Sequence, residues 1–353
     1  MATTEFDAIV IGSGISGGYA AMELCKKGYK TLVLERGRDV QHGEYPTAHD
    51  DVWDLPHRDK VPRDEIAEHY PKQNRLNWWV TQANKHWINK DDEYPYQEDQ
   101  RFDWIRGHHV GGRSIMWGRH CYRWSDIDFE ANKKEGIAID WPIRYKDIEP
   151  WYDYVEPFVG IAGQAEGLKQ VPDGKFLKPF PLNCAEQHLR ETVAQKYPFR
   201  VVTPGRVANL SEYNPDVHLG KRGQCMSRDR CWRGCPFGAY FSSQSATLPV
   251  AEATGNLTIR PHSIVKEIVY DADSGRATGV RLIDAQSKEE LEISARIIFC
   301  NAKPWAPPPS CSTAAPTPSP MVWATAAASW ATTSWITTTA WAPPAFCPHW
   351  RTN

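Results

Sequence analysis

The chain has 353 residues, 24% of them charged, and a formal net charge of −2. That length accommodates two domains with ample core. The near-balanced charge, with no basic stripe, argues against nucleic acid and anionic membrane surfaces as partners. The first residues, MATTEFDAIV, carry neither a charged n-region nor an apolar h-region, so no cleavable export signal is expected and a cytoplasmic location follows. Nine cysteines, unevenly spaced, argue against a disulfide framework and for reduced or metal-bound thiols.

The most informative stretch comes first. Phe6 to Gly37 reads as a complete nucleotide-binding βαβ unit. A buried apolar run (Ala8 to Ile11) feeds Gly12-Ser13-Gly14-Ile15-Ser16-Gly17, then a helical stretch, then a second apolar run from Thr31 to Leu34. Gly12 serves the tight turn, Gly14 the backbone's approach to a pyrophosphate, and Gly17 close packing of helix on strand. The helix N-terminus offers free N–H groups to that pyrophosphate. Glu35, 18 residues past Gly17, stands where an acid accepts ribose hydroxyls. Together these specify a dinucleotide site. Its N-terminal position and the Glu35-Arg36-Gly37 ending favour FAD over NAD.

Further along, Gly111-Gly112-Arg113-Ser114 makes a second small-residue turn opening a helix, and offers another cluster of N–H groups for phosphate. His108 and His109 adjoin it and are read as ordering the loop, not as the base. Tryptophans 78, 79, 87, 104, 117, 124, 141 and 151 suit either sugar stacking or core and lid packing, and packing is the preferred reading. Cys225, Cys231 and Cys235 follow at C-x5-C-x3-C and end in Cys-Pro, which suits an iron–sulfur cluster better than tetrahedral zinc. Cys25, Cys121, Cys184 and Cys300 read as small buried hydrophobes. Leu257 to Asp284 alternates around Asp273-Ser274-Gly275, a hairpin signal.

After Asn301 the character changes. Residues 304–350 contain no Asp, Glu, Lys or Arg, but six Trp and ten Pro. Met321 to Phe346 lacks Leu and is dominated by Ala, Thr, Ser and Trp, so it is not expected to span a membrane. A one-base frame shift accounts for the composition, because each Trp codon (TGG) is then the shadow of a Leu-Gly, Val-Gly or Met-Asp pair. Shifting back fixes two bases of every hidden codon and leaves one free, and with suitable choices of that base the tail reads with helical periodicity and a Gly-Asn-x-Ser-Gly-x-x-Gly run.

These motifs, in order from residue 6 to about 301, resemble the glucose–methanol–choline (GMC) oxidoreductases, FAD-dependent alcohol and sugar oxidases and dehydrogenases. The second turn resembles the family's Gly-Gly-Ser-Ser pattern, with Trp117-Gly118 where Asn-Gly is usual, as in the bacterial dehydrogenase branch. Trp141 to Gly163 is similar to the segment entering the substrate domain. The resemblance implies that the backbone at Val265 meets adenine and that Cys225, Cys231 and Cys235 hold a [3Fe–4S] cluster relaying electrons to a cytochrome. It also implies a His base near the C-terminus of a full-length member, beyond residue 353, so no catalytic residue is assigned and the truncated chain is expected to be inactive.

The expected fold is α/β, a Rossmann-like FAD-binding domain with an interleaved, incomplete substrate domain. Residues 1–40 form the βαβ unit, 41–100 a lid insertion and 101–140 the second phosphate loop. Residues 141–220 form a substrate-domain segment, 221–302 return to the FAD domain with the cysteine loop, and 303–353 are the irregular tail. The expected donor is a sugar, glycoside or other alcohol, with hydride passing to flavin. Export would need a small signal-bearing subunit, which would place the protein in the periplasm. A non-catalytic FAD-binding fragment and an iron–sulfur electron-transfer module are the alternatives.

Overall fold

Both faces of the N-terminal strand pair are covered, and that is why Ala8–Ile11 (β1) and Thr31–Leu34 (β2) are apolar throughout, not alternating. The computed structural model describes residues 6–76, 80–98, 100–302 and 310–311. Between the two strands runs Ile15–Lys26 (α1). Ala8, Val10 and Val33 pack on Ala21 and Leu24 of this helix. Ile9, Ile11, Leu32 and Leu34 face the opposite way, onto Ile268, Val280 and Leu282. The period-two alternation of side chains thus survives, with both sets apolar because each has a cover.

The remaining helices are Arg63–His69 (α2), Asp126–Glu135 (α3), Tyr145–Val159 (α4), Cys184–Lys196 (α5) and Thr247–Glu252 (α6). The remaining strands are Leu257–Arg260 (β3), Ser263–Asp271 (β4), Arg276–Asp284 (β5), Glu290–Ser294 (β6), Ile297–Cys300 (β7) and the two-residue Ser310–Cys311 (β8). One sheet, ordered β3-β2-β1-β7, is parallel throughout. It draws two strands from the N-terminus and two from beyond residue 256, so the nucleotide-binding domain is assembled from discontinuous segments. The other sheet, β6-β5-β4-β8, contains the hairpin read at Asp273-Ser274-Gly275, whose Gly275 takes φ +66°.

The layers are helices, parallel sheet and hairpin sheet. On the helical side α6 packs against α1 through Met22, Cys25, Val250 and Ala251. Gly18 permits this approach, since a Cβ there would lie 2.3 Å from Thr247 Oγ1.

Residues 41–256 lie in sequence between β2 and β3 of the parallel sheet. Among the described residues this region has helices and isolated bridges (His120 with Val207, Ala162 with Leu177 and Val207, Asn209 with Tyr240) but no sheet of its own. Arg123 anchors α4 from the interior, giving Nε to Glu156 Oε1 at 2.8 Å and a terminal nitrogen to Asp153 at 2.5 Å. Several charge-assisted bonds around one buried guanidinium offset its desolvation. No described helix is long and apolar enough to cross a membrane. Trp78 and Trp79, and the frame-shift and membrane readings of the tail apart from the backbone of Ser310–Cys311, lie outside the described residues.

Candidate functional site

The end of β1 is built by three glycines with three separable roles. Gly12 takes φ +96°, and a Cβ on it would stand 3.2 Å from the Asn301 carbonyl oxygen. A Cβ on Gly17 would lie 1.9 Å from the Gly12 oxygen, so helix and strand end pack backbone to backbone. Gly14 is different. Its φ of −66° suits any residue, and a Cβ there would meet nothing within 4 Å. The fold itself therefore does not require glycine at residue 14. Gly14 caps α1, which has no side-chain cap and no acid in its first turn, so its N–H groups are open to an anion.

Across from it stands the second glycine turn. Gly111 takes φ +90° and Gly112 φ +49°, and a Cβ on Gly112 would be 3.7 Å from Gly14 Cα. Two bare backbones thus face each other. The helix expected here is a single 3-10 turn, Gly112–Ile115, because the left-handed Gly111 and Gly112 cannot continue into α geometry. Ser114 is buried and gives its hydroxyl to the Gly111 oxygen at 2.6 Å, while the Arg113 side chain is exposed.

Glu35 sits at the end of β2, buried and mostly occupied. Its Oε2 accepts from Ser13 N at 3.1 Å and Ser13 Oγ at 2.5 Å, and its Oε1 accepts from Gly37 N at 2.9 Å. One acceptor position on Oε1 stays open for a ribose hydroxyl. The Arg36 guanidinium stacks 5.6 Å from the Tyr94 ring centre, and its Nε is buried without a hydrogen-bond partner. Asn301 Oδ1, at the end of β7, is likewise buried and unpartnered. Val265 is brought near by backbone bonds from Ser263 N to Glu35 O and His262 N to Gly37 O, both 2.8 Å. Its strand bulges just after it, between Val265 and Glu267.

Sequence reasoning missed the polar pins behind this cleft. Gly111 N donates to Ser13 Oγ at 2.9 Å, and Ser243 Oγ donates to the Ser13 carbonyl at 2.8 Å. The run Phe241-Ser242-Ser243-Gln244-Ser245 is visible as small and polar, but nothing local in it names partners some 130 to 230 residues away. Trp117, which follows the second turn and is among the tryptophans read as packing, lies in the core beside Val159, Ile161 and Phe241 and donates its indole N–H to the Phe241 oxygen at 2.8 Å. The neighbouring Gly118 is exposed.

The histidines beside the turn pack edge-on against aromatic rings, His108 on Tyr94 and His109 on Trp87. His109 is 1% exposed, with its ring 5.0 Å from that of Trp87, and burial pushes its pKa down to about 4. Trp87 is core and Trp151 is exposed, in keeping with packing and surface roles.

Cys225, Cys231 and Cys235 line one pocket, together with Asn209, Arg228 and Tyr240. Burial raises the Cys231 thiol pKa, and the neighbouring Cys225 and Cys235 add to it. Soft donors in one pocket are the right chemistry for iron and sulfide. Yet among the described residues no group of three or more His, Cys, Asp or Glu side chains is placed to hold a metal ion. Arg230 bonds Asp51 and the His49 oxygen and ties the loop outward. One thiol reading is corrected: Cys184 is exposed, because α5 buries none of its residues. Cys25 is buried, and Cys121 and Cys300 are partly so.

Facing glycine loops at the carboxyl ends of parallel strands, with an acid beside them, define a dinucleotide-binding α/β domain. The chain belongs to the GMC oxidoreductase family, whose N-terminal domain model matches residues 6–303. It is 24% identical over 312 residues to 2-methyl-1,2-propanediol dehydrogenase of Mycolicibacterium austroafricanum, covering 84% of this chain and 49% of that protein. It is 23% identical over 307 residues to the fructose dehydrogenase large subunit of Gluconobacter japonicus, covering 84% and 52%. A solved pyridoxine 4-oxidase from Mesorbium loti aligns at 14% identity and a TM-score of 0.47, over 84% of this chain and 50% of that one. The chain spans about half the length of the curated relatives it matches.

Proposed function

We propose that this chain forms the FAD-binding part of a flavoprotein that oxidises a CH–OH group of a sugar, glycoside or other alcohol. The observation that carries this reading is the open space beside Gly14 at the α1 N-terminus, flanked by the bare backbone of Gly112, which closely approaches Gly14. There the α1 N-terminus and the second turn would hold the pyrophosphate, Glu35 would accept a ribose hydroxyl, and Arg36 Nε and Asn301 Oδ1 would gain the partners they lack. Val265 would supply backbone contacts to adenine. FAD, when bound, supplies hydride acceptance, and the chain positions it. The buried Ser13, Ser114 and Ser243 keep the two loops at a fixed separation and exclude water from behind them. The base that takes the hydroxyl proton is not assigned to any described residue.

The test is reconstitution of the full chain with FAD, followed by anaerobic addition of alcohols and sugars. Bound flavin that is lost in Gly14→Val supports the site, and bleaching by a sugar identifies the donor class. Bound flavin without bleaching makes the chain a non-catalytic FAD-binding part. No bound flavin rejects the reading.

A second reading rests on the shared thiol pocket. Cys225, Cys231 and Cys235 would hold a [3Fe–4S] cluster that passes electrons to a cytochrome c, with a small signal-bearing subunit carrying the complex to the periplasm. Iron and sulfide present after anaerobic purification, and absent in Cys231→Ser while FAD stays bound, would support it. Iron at background level leaves three structural thiols.

A further inference from the structure

Between the cysteine loop and the second glycine turn runs a chain of hydrogen bonds that the cofactor reading does not use. Pro236, next to Cys235, presents its carbonyl 3.1 Å from His42 Nε2, and His42 Nδ1 lies 3.1 Å from the Tyr45 hydroxyl. That hydroxyl is 3.1 Å from Gln244 Oε1. Gln244 Nε2 then donates to the Val40 oxygen at 2.5 Å and to the Val110 oxygen at 2.8 Å. Val110 precedes Gly111, and a Cβ on Gly111 would stand 2.7 Å from Gln244 Cγ. Tyr45 also closes on the other end of the path, since a Cβ on Gly234 would lie 2.6 Å from its ring. Tyr45 and Gln244 are 5% and 4% exposed, so water cannot readily replace a missing partner.

Counting protons shows why the ends are coupled. Both hydrogens of the Gln244 amide go to carbonyls, so its Oε1 needs a donor. Neutral His42 carries one N–H and Tyr45 one O–H. These two protons must serve three contacts: Pro236 with His42, His42 with Tyr45, and Tyr45 with Gln244. One contact always lacks a proton. If Pro236 O holds the His42 proton on Nε2, Nδ1 competes with Gln244 for the Tyr45 hydroxyl. If Pro236 moves away, the proton can sit on Nδ1 and Tyr45 is released to Gln244. The position of the cysteine loop therefore biases how firmly Gln244 is oriented behind the glycine turn.

We propose that His42, Tyr45 and Gln244 are positioning residues that couple the cysteine loop to the second glycine turn, so that FAD binding and the state of that loop affect each other. This rests on the FAD reading of the glycine cleft, though not on any metal in the loop. Coupling between two sites is reciprocal in binding free energy, so one perturbation is visible from both ends.

The experiment uses the full chain with and without saturating FAD. It measures the FAD dissociation constant by flavin fluorescence and the N-ethylmaleimide alkylation rate of Cys225, Cys231 and Cys235 by peptide mass spectrometry. In the unmutated chain, FAD should change the alkylation rate of Cys235 by about threefold or more. In Tyr45→Phe, which deletes the hydroxyl and leaves Gln244 Oε1 without a donor, FAD affinity should fall about tenfold, the weight of one buried hydrogen bond. In the same variant FAD should no longer alter alkylation. A merely structural Tyr45 would lower affinity yet leave that response intact, and this result, or an unmutated chain indifferent to FAD, overturns the relay. His42→Gln, at a half-buried loop position, carries the same two readouts if Tyr45→Phe does not fold. An unmutated chain that binds no FAD removes the cofactor reading and the relay together. FAD binding that is lost in Gly14→Val but keeps its full coupling in both relay variants removes the relay alone.

Discussion

The hydroxyl of Ser13 accepts the backbone N–H of Gly111 at 2.9 Å, joining the two glycine loops across 98 residues of chain. The same hydroxyl gives its proton to Glu35 Oε2 at 2.5 Å, so one oxygen orients both loops and the Glu35 carboxylate. Ser13 is wholly buried, and no water can take over either bond. Ser13→Ala leaves a buried N–H unpaired and removes one donor from a carboxylate, a loss of about 1–3 kcal/mol. The expected outcome is a lower unfolding midpoint and weaker FAD binding together, read by thermal melts with and without flavin. Unchanged FAD affinity would show that the loops keep their spacing without the hydroxyl.

Glu35 already accepts three hydrogen bonds from Ser13 and Gly37, and this limits what it can offer a ligand. In the proposed site its ribose contact would be a single bond to the open side of Oε1. Glu35→Gln keeps the shape but turns two donors toward Ser13 N or Gly37 N, which are donors themselves. FAD affinity should drop by about 1–3 kcal/mol, the scale of a hydrogen bond to a charged group, in fluorescence titrations. A loss well beyond that range would mean that Glu35 holds the loop more than the ligand.

The βαβ unit was legible because its signals are local. Four-residue apolar runs covered on both faces, glycines at a turn and a helical stretch between them all lie within residues 6–37. The hairpin at Gly275 was legible for the same reason. What could not be read was long-range. Ser243 meets Ser13 across 230 residues and Gln244 meets Val40 across 204, and a serine-rich run looks the same whether it caps a loop or pins a cofactor cleft. Trp117 packs as its residue type suggests, but the acceptor of its buried indole N–H, the Phe241 carbonyl, lies 124 residues away and no local pattern names it. Cys184 failed because burial was inferred from residue type, whereas α5 buries no residue at all.

Acid should destabilise this chain through its buried histidines, His42, His86, His109 and His218, whose pKa values burial lowers, most of all through His86 and His109. His109 and His86 have pKa values pushed from 6.5 down to about 4, mainly by burial, with Arg38 adding to both. A folded pKa below the unfolded one means that the unfolded state binds more protons between pH 4 and 6.5, so stability is full above that window and declines as pH falls through it. Each histidine contributes a slope of up to about 1.4 kcal/mol per pH unit there. Denaturant melts at steps across this window should show the decline, and His109→Gln should make it shallower. A flat profile in the unmutated chain would mean that these rings reach water in the native state.

The sharpest contrast lies between two glycines three residues apart. A Cβ at residue 17 would collide with the Gly12 oxygen at 1.9 Å, which is backbone and cannot step aside. Gly17→Ala must therefore push α1 away from β1, disturbing Ala21 and Leu24 against Val10 and Val33, and a loss of about 2 kcal/mol or more is expected from this overpacking. At residue 14 the added atom meets nothing within 4 Å and φ is −66°, so Gly14→Val should melt close to the unmutated chain. Its methyl groups instead enter the open space beside the α1 N-terminus, where a pyrophosphate would lie. Thermal melts and flavin content, measured on both variants side by side, separate the roles: Gly17→Ala fails in folding, and Gly14→Val folds without flavin. A Gly14→Val chain that retains FAD would show that the open space beside Gly14 is not the phosphate site.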